Sequence, residues 1–147
     1  LGRLVLADGD ARNRLESAVH PLVRQAIQGW LDERSGLELA VVEAALLVET
    51  GSYRDYDVLL VVWCEVEQQL CRAVARGVPE DRARAILAAQ RPLHEKRDLA
   101  DVAIDNRGDL EDLLAHVERR WSEVVERCRR RLGDCSQTAG GSSHSVR

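Results

Sequence analysis

The chain has 147 residues, one domain's worth, of which 45% are hydrophobic and 31% charged. That balance excludes a disordered chain and allows a sizeable core without metals or disulfides. The net charge of −4 excludes a generally basic nucleic-acid binder, the apolar run from Val58 to Cys64 is far too short to cross a bilayer, no signal peptide is visible, and the four cysteines form no disulfide framework, which suits a reducing cytoplasm.

Asp8 or Asp10 caps a first helical pattern, in which Leu15, Ala18, Val19 and Leu22 recur at helical spacing. His20-Pro21 predicts a break at His20 and a new helix from Pro21, because proline lacks an N–H and disfavours helix in the residue before it. That second helix carries Leu22, Ala26, Ile27, Trp30 and Leu31 and ends at Ser35-Gly36. Leu37–Val42 reads as a buried strand, Thr50–Ser52 as a loop, and Asp57–Trp63 as a strand buried on both faces, because no polar residue breaks its apolar run. Glu65–Arg76 is a helix with Val66, Leu70, Ala73 and Val74 inward. A further helix starts at Pro79 and runs to about Gln90. Asp101–Asp105 is a short strand, Asn106-Arg107-Gly108 a turn, and Asp109 the cap of the last helix. That helix carries an apolar stripe from Leu110 through Leu113, Leu114, Val117, Trp121, Val124, Val125 and Cys128 to Leu132. Residues 133–147 turn to Gly, Ser, Thr and Gln and are expected to be disordered. Strands alternating with helices predict an α/β fold with a mainly parallel sheet, whose ligands bind beyond the carboxyl ends of the strands.

Several residues stand where chemistry is possible. Arg72 and Arg76, four apart, project from one helix face and suit the grip of a polyphosphate; between Val66 and Arg97 seven basic residues face four acidic ones. Both arginines are expected to face solvent, and a solvated helix is the alternative. Glu43 or Glu49, after the strand at 37–42, is placed to hold a metal-bound water or a substrate hydroxyl, or is merely a capping group. His20 is either a core histidine between helices or a substrate contact. Asn106 is placed to read an adenine edge or belongs to a plain turn. Cys64, Cys71, Cys128 and Cys135 form two C-x6-C pairs, not a zinc or redox spacing, and read as small buried hydrophobes. His94, His116 and His144 show no metal spacing with any cysteine. G-x-x-x-x-G-K-[ST], G-x-S-x-G and H-E-x-x-H are all absent. The chain contains no Met and opens mid-pattern, so a piece lacking its N-terminus is expected.

In order, these pieces resemble dephospho-CoA kinases, a family of P-loop kinases. The resemblance rests on Leu1-Gly2-Arg3-Leu4-Val5-Leu6-Ala7-Asp8, the His20-Pro21-Leu22-Val23 corner and Leu46-Leu47-Val48-Glu49. It continues through Gln69-x-x-Arg72-x-x-x-Arg76, Ala88-Ala89-Gln90 and Lys96-Arg97, then Ala100-Asp101-Val102-x-Ile104-Asp105-Asn106-x-Gly108 and the last helix through Trp121. Glu43-Ala44-Ala45 departs from the family's usual acid, aliphatic residue and proline before the Leu pair. The resemblance implies ATP-dependent phosphorylation of the ribose 3′-hydroxyl of dephospho-CoA with Mg²⁺ bound mainly by upstream residues, the last step of coenzyme A biosynthesis. It implies an incomplete P-loop-type sheet, with residues 1–35 in a helical substrate domain, 36–65 and 98–132 in the α/β core, and 66–97 as a lid. Arg72 and Arg76 would stabilise the phosphates, Asn106 would lie near the adenine, and His20, Leu47 and Glu49 would border the acceptor. The phosphate loop and the catalytic aspartate are expected upstream, leaving this stretch inactive alone. A non-catalytic α/β interaction module, or another nucleoside or nucleotide kinase of the superfamily, is the alternative.

Overall fold

The computed structural model describes residues 8–139, with side chains as far as Arg131; the matching stretch at residues 1–7, the side chain of Cys135 and residues 140–147 lie outside that range. Helix α1 spans Gly9–Asp32, strand β1 Leu60–Trp63, α2 Val66–Ala75, α3 Glu80–Ala88, α4 Leu93–Leu99, β2 Val102–Asp105 and α5 Leu110–Ala139. One 3-10 turn covers Ser52–Asp55.

Asp8 caps α1, its carboxylate accepting the amides of Asp10 and Ala11 at 2.9 and 3.1 Å. The helix then runs 24 residues with Pro21 inside it, so the expected break at His20 does not occur. Proline deprives the Ser17 carbonyl of its intrahelical donor; Ser17 is exposed, and water can take that carbonyl. The apolar phase from Leu15 to Leu22 continues through Ala26, and one helix satisfies it without a corner. Arg34 closes the far end, donating to the Trp30 carbonyl at 3.1 Å while its guanidinium lies 4.5 Å from the Trp30 ring.

The expected strand at 37–42 forms no strand: the segment has no regular secondary structure and pairs with no strand among the described residues. Leu37 and Val41 are 58% and 68% exposed. A strand is maintained by its ladder, and without a neighbour the backbone groups turn to water.

Strands β1 and β2 form a parallel pair, in register from Leu60 opposite Val102 to Trp63 opposite Asp105. The Asp101 carboxylate extends the ladder by accepting the Leu59 amide at 2.9 Å, and the Asn106 amide extends it at the other end by donating to the Trp63 carbonyl at 2.8 Å. Leu59 and Val61 are buried with Val48 against Tyr53, Leu93 and Ala100. On the opposite face Val102, Ile104 and Val124 pack with Leu60, Leu113 and Cys128. The parallel pairing agrees with the sequence reading, but the sheet is covered incompletely: Val62 is 47% exposed.

Helix α2 opens on a capping box, with Gln68 and Glu65 bonded reciprocally. It ends at Gly77, whose φ of 86° lets the chain turn back; the Gly77 and Val78 amides donate to Val74 and Ala73. Val66 and Val74, expected inward, are exposed, as is Cys71. Only seven residues form α4, too few for an apolar period to reveal. Asp109 caps α5, accepting the Asp112 amide at 3.0 Å. The helix continues past Gly133 to Ala139, so the stretch expected to be disordered begins as helix; one interior glycine costs only about 1 kcal/mol relative to alanine. Leu110, Leu114, Val117 and Trp121 of its stripe are exposed.

Candidate nucleotide site at the carboxyl ends of the strands

Both strands end at one place, and five side chains converge there. Asp105, the last residue of β2, holds Arg107 through its carboxylate: Nε lies 3.0 and 3.1 Å from the two oxygens and Nη2 lies 2.7 Å from Oδ2. The Arg107 guanidinium holds the Asp105 carboxyl below its ordinary range. The Asp105 amide donates to Nδ1 of His116 at 2.7 Å, which fixes that ring nitrogen as an acceptor. Trp63, the last residue of β1, carries the Arg107 guanidinium 4.5 Å from its ring centroid and that of Arg97 at 4.7 Å.

The loop at 106–108 is tied to α2 through three consecutive carbonyls. Arg72 donates from Nη1 to Asn106 at 2.7 Å and from Nη2 to Gly108 at 3.1 Å; Gln68 donates from Nε2 to Arg107 at 2.7 Å. Arg72 is therefore half-buried and bonded rather than solvent-facing. Arg76 is exposed at the carboxyl end of the same helix. The backbone N–H and C=O of Asn106 are both occupied, and its side-chain amide enters no hydrogen bond among the described residues. That amide offers a donor and an acceptor side by side, the pattern that complements the edge of a planar heterocycle.

A second group forms around Lys96, the residue before Arg97. Lys96, the chain's one lysine, is 7% exposed and forms an ion pair with Glu49. Its Nζ also lies 3.4 Å from the Ala45 carbonyl, and Glu49 accepts the Arg91 amide at 3.2 Å. Glu49 is thus bound to a cation and is not a free base; its Oε2 is buried without a partner. Leu47 is half-buried in the same turn, its carbonyl accepting the Tyr53 amide. Glu43 is exposed.

Of the residues singled out from sequence, the structure brings Arg72 and Asn106 into contact, places Arg76 one turn further along α2, and sets Leu47 and Glu49 together in the turn held by α4. His20 is half-buried mid-helix rather than between two helices, and no contact joins it to either group. Sequence reasoning missed Gln68, which sits in an ordinary capping pattern, and the Lys96–Glu49 pair, whose partners are 47 residues apart. Among the described residues no three His, Cys, Asp or Glu side chains cluster to hold a metal, and no helix is long and apolar enough to cross a membrane. Cys64 and Cys128 are half-buried free thiols, and burial pushes the Cys128 thiol up.

Comparison with known proteins identifies the family of the chain. The family model described as dephospho-CoA kinase matches residues 1–112. A dephospho-CoA kinase of Frankia casuarinae is 42% identical over 127 residues, covering 86% of this chain and 56% of the relative. One from Symbiobacterium thermophilum is 40% identical over 146 residues, covering 97% and 59%. The crystal structure of TT1252 from Thermus thermophilus superimposes with a TM-score of 0.64 at 35% identity, covering 82% of this chain and 63% of that one. The chain spans about three fifths of the length of the curated relatives it matches. It belongs to the dephospho-CoA kinase family.

Proposed function

We propose that the protein to which this chain belongs transfers the γ-phosphoryl group of ATP to the ribose 3′-hydroxyl of dephospho-CoA, the last step of coenzyme A biosynthesis. The observation that carries the reading is the bonded set of Arg72, Asn106 and Gly108 at the carboxyl ends of a parallel strand pair, in a chain of this family. In the reaction the 3′-oxygen bonds to the γ-phosphorus as the bond from that phosphorus to the β–γ bridging oxygen breaks. ADP leaves, and the hydroxyl proton passes to a base.

Such a transfer is catalysed by position and charge. The side-chain amide of Asn106 would take the base edge. Arg76 would meet the phosphates from solvent, joined by Arg72 once it leaves the Asn106 and Gly108 carbonyls. Residues 66–97 would form the lid, and α4, pinned by Lys96, its fixed end. His20, Leu47 and Glu49 would border the acceptor, Glu49 accepting a hydrogen bond rather than a proton. The chain has no G-x-x-x-x-G-K-[ST]; the phosphate-cradling amides, the Mg²⁺ contacts and the base would come from the part of the family's length that this chain does not match. A strand there would lie between 37–42 and β1, giving both a ladder partner. A cytoplasmic enzyme is consistent with free thiols at Cys64, Cys71 and Cys128.

The test is an acceptor panel. The full-length protein, with γ-labelled ATP and Mg²⁺, should label dephospho-CoA and leave nucleosides and nucleoside monophosphates unlabelled. Labelling of a nucleoside monophosphate but not of dephospho-CoA would assign it to another kinase group.

A further inference from the structure

Gln68 makes two bonds of different kinds from one side chain. Its Oε1 accepts the Glu65 amide at 3.3 Å, closing the capping box of α2. Its Nε2 donates to the Arg107 carbonyl at 2.7 Å. The two neighbouring carbonyls, Asn106 and Gly108, are held by Arg72. A guanidinium beside a triphosphate would exchange neutral carbonyl acceptors for charged oxygens, the stronger partners, so a bound nucleotide would draw Arg72 away from the loop. Gln68 is uncharged, so it has less to gain from phosphate than a guanidinium, and its Oε1 is already held by the Glu65 amide. Its bond to Arg107 therefore remains when both Arg72 bonds are lost.

We propose that Gln68 is a positioning residue for the nucleotide: it holds the Asn106–Gly108 backbone in register with α2, so that the Asn106 amide keeps its place while Arg72 is engaged elsewhere. Arg107 is fixed from its other end by Asp105 and Trp63, so its carbonyl is a rigid anchor. This inference rests on the nucleotide-site reading above and adds to it a residue outside the Gln69-x-x-Arg72-x-x-x-Arg76 pattern.

Two substitutions separate the bonds. Gln68→Glu keeps the capping acceptor and removes the donor to Arg107; Gln68→Met removes both and is neutral, which controls for the added charge. In the full-length protein, hydrogen exchange of the peptide spanning 102–110 should quicken about fivefold or more in both variants, whereas exchange at the start of α2 should quicken only in Gln68→Met. The dissociation constant for ATP should rise at least fivefold in both, with that for dephospho-CoA within twofold of wild type. Wild-type loop exchange in Gln68→Glu would overturn the proposal. So would equal weakening of both substrates, which marks general loosening. If the wild-type protein binds no ATP, the nucleotide reading fails, and the exchange arm still decides whether Gln68 holds the loop.

Discussion

Arg76 and Arg72 share a helix face but not a situation. Arg76 is exposed, so Arg76→Ala should change stability by under ~0.5 kcal/mol. If it meets the transferred phosphate, turnover of the full-length enzyme should fall by about 10³-fold, the lower end for a transition-state arginine; near-wild-type turnover in steady-state kinetics would return Arg76 to an ordinary solvated face. The Lys96–Glu49 pair invites a stability test instead. Lys96→Met leaves a largely buried carboxylate without its cation and should cost about 3–5 kcal/mol in denaturant unfolding. Adding Glu49→Gln removes the stranded charge and keeps an acceptor for the Arg91 amide, so the double variant should recover most of that loss. A double variant as unstable as the single one would show that packing of the Lys96 stem, not charge, is what matters.

At the scale of elements, α5 depends on a crowded start. A Cβ at Gly108 would lie 2.7 Å from the Cβ of Asp112, whose amide bonds the Asp109 cap. Gly108→Ala should therefore disturb the cap and cost about 0.5–2 kcal/mol, measured by thermal unfolding. Gly36→Ala, with open space around it, serves as the control and should change little. Equal effects at the two glycines would remove the cap from the account. The elements also show what a single sequence exposes. The cap at Asp109, the choice of Asp8 or Asp10 for the first cap, and a strand at 57–63, observed as Leu60–Trp63, were readable, because capping chemistry and an unbroken apolar run are local signals. Pro21 misled, because a proline's lost bond can be taken up by water on an exposed helix face. Helix α4 was invisible for lack of length. The candidate site was legible in part: Arg72 and Arg76 stood out by spacing, Asn106 by its place between a strand and a helix, and all three by resemblance. The bonds that make Arg72 a loop clamp run 34 and 36 residues along the chain and have no periodic trace.

For the whole molecule, the sheet is the weak point. Among the described residues it has two strands, and a pair this small depends for its stability on the helices packed against it. The exposed apolar side chains Leu37, Val41, Val62, Leu114 and Trp121 leave apolar surface in water, which weakens the fold. The 147-residue chain alone is therefore expected to transfer no phosphate, and its Val58–Val62 amides should exchange faster than those of α5. Equal protection of strand and helix, with a sharp thermal transition, would identify a self-sufficient domain and favour an interaction module over an enzyme.

The central claim is phosphorylation at one defined oxygen. Phosphorus NMR of the full-length protein with ATP, Mg²⁺ and dephospho-CoA follows it directly. The account predicts loss of the ATP γ-resonance, appearance of ADP, and one new monoester resonance coupled to the ribose 3′-proton. A monoester at any other position, or ATP consumed with dephospho-CoA unchanged, would contradict it.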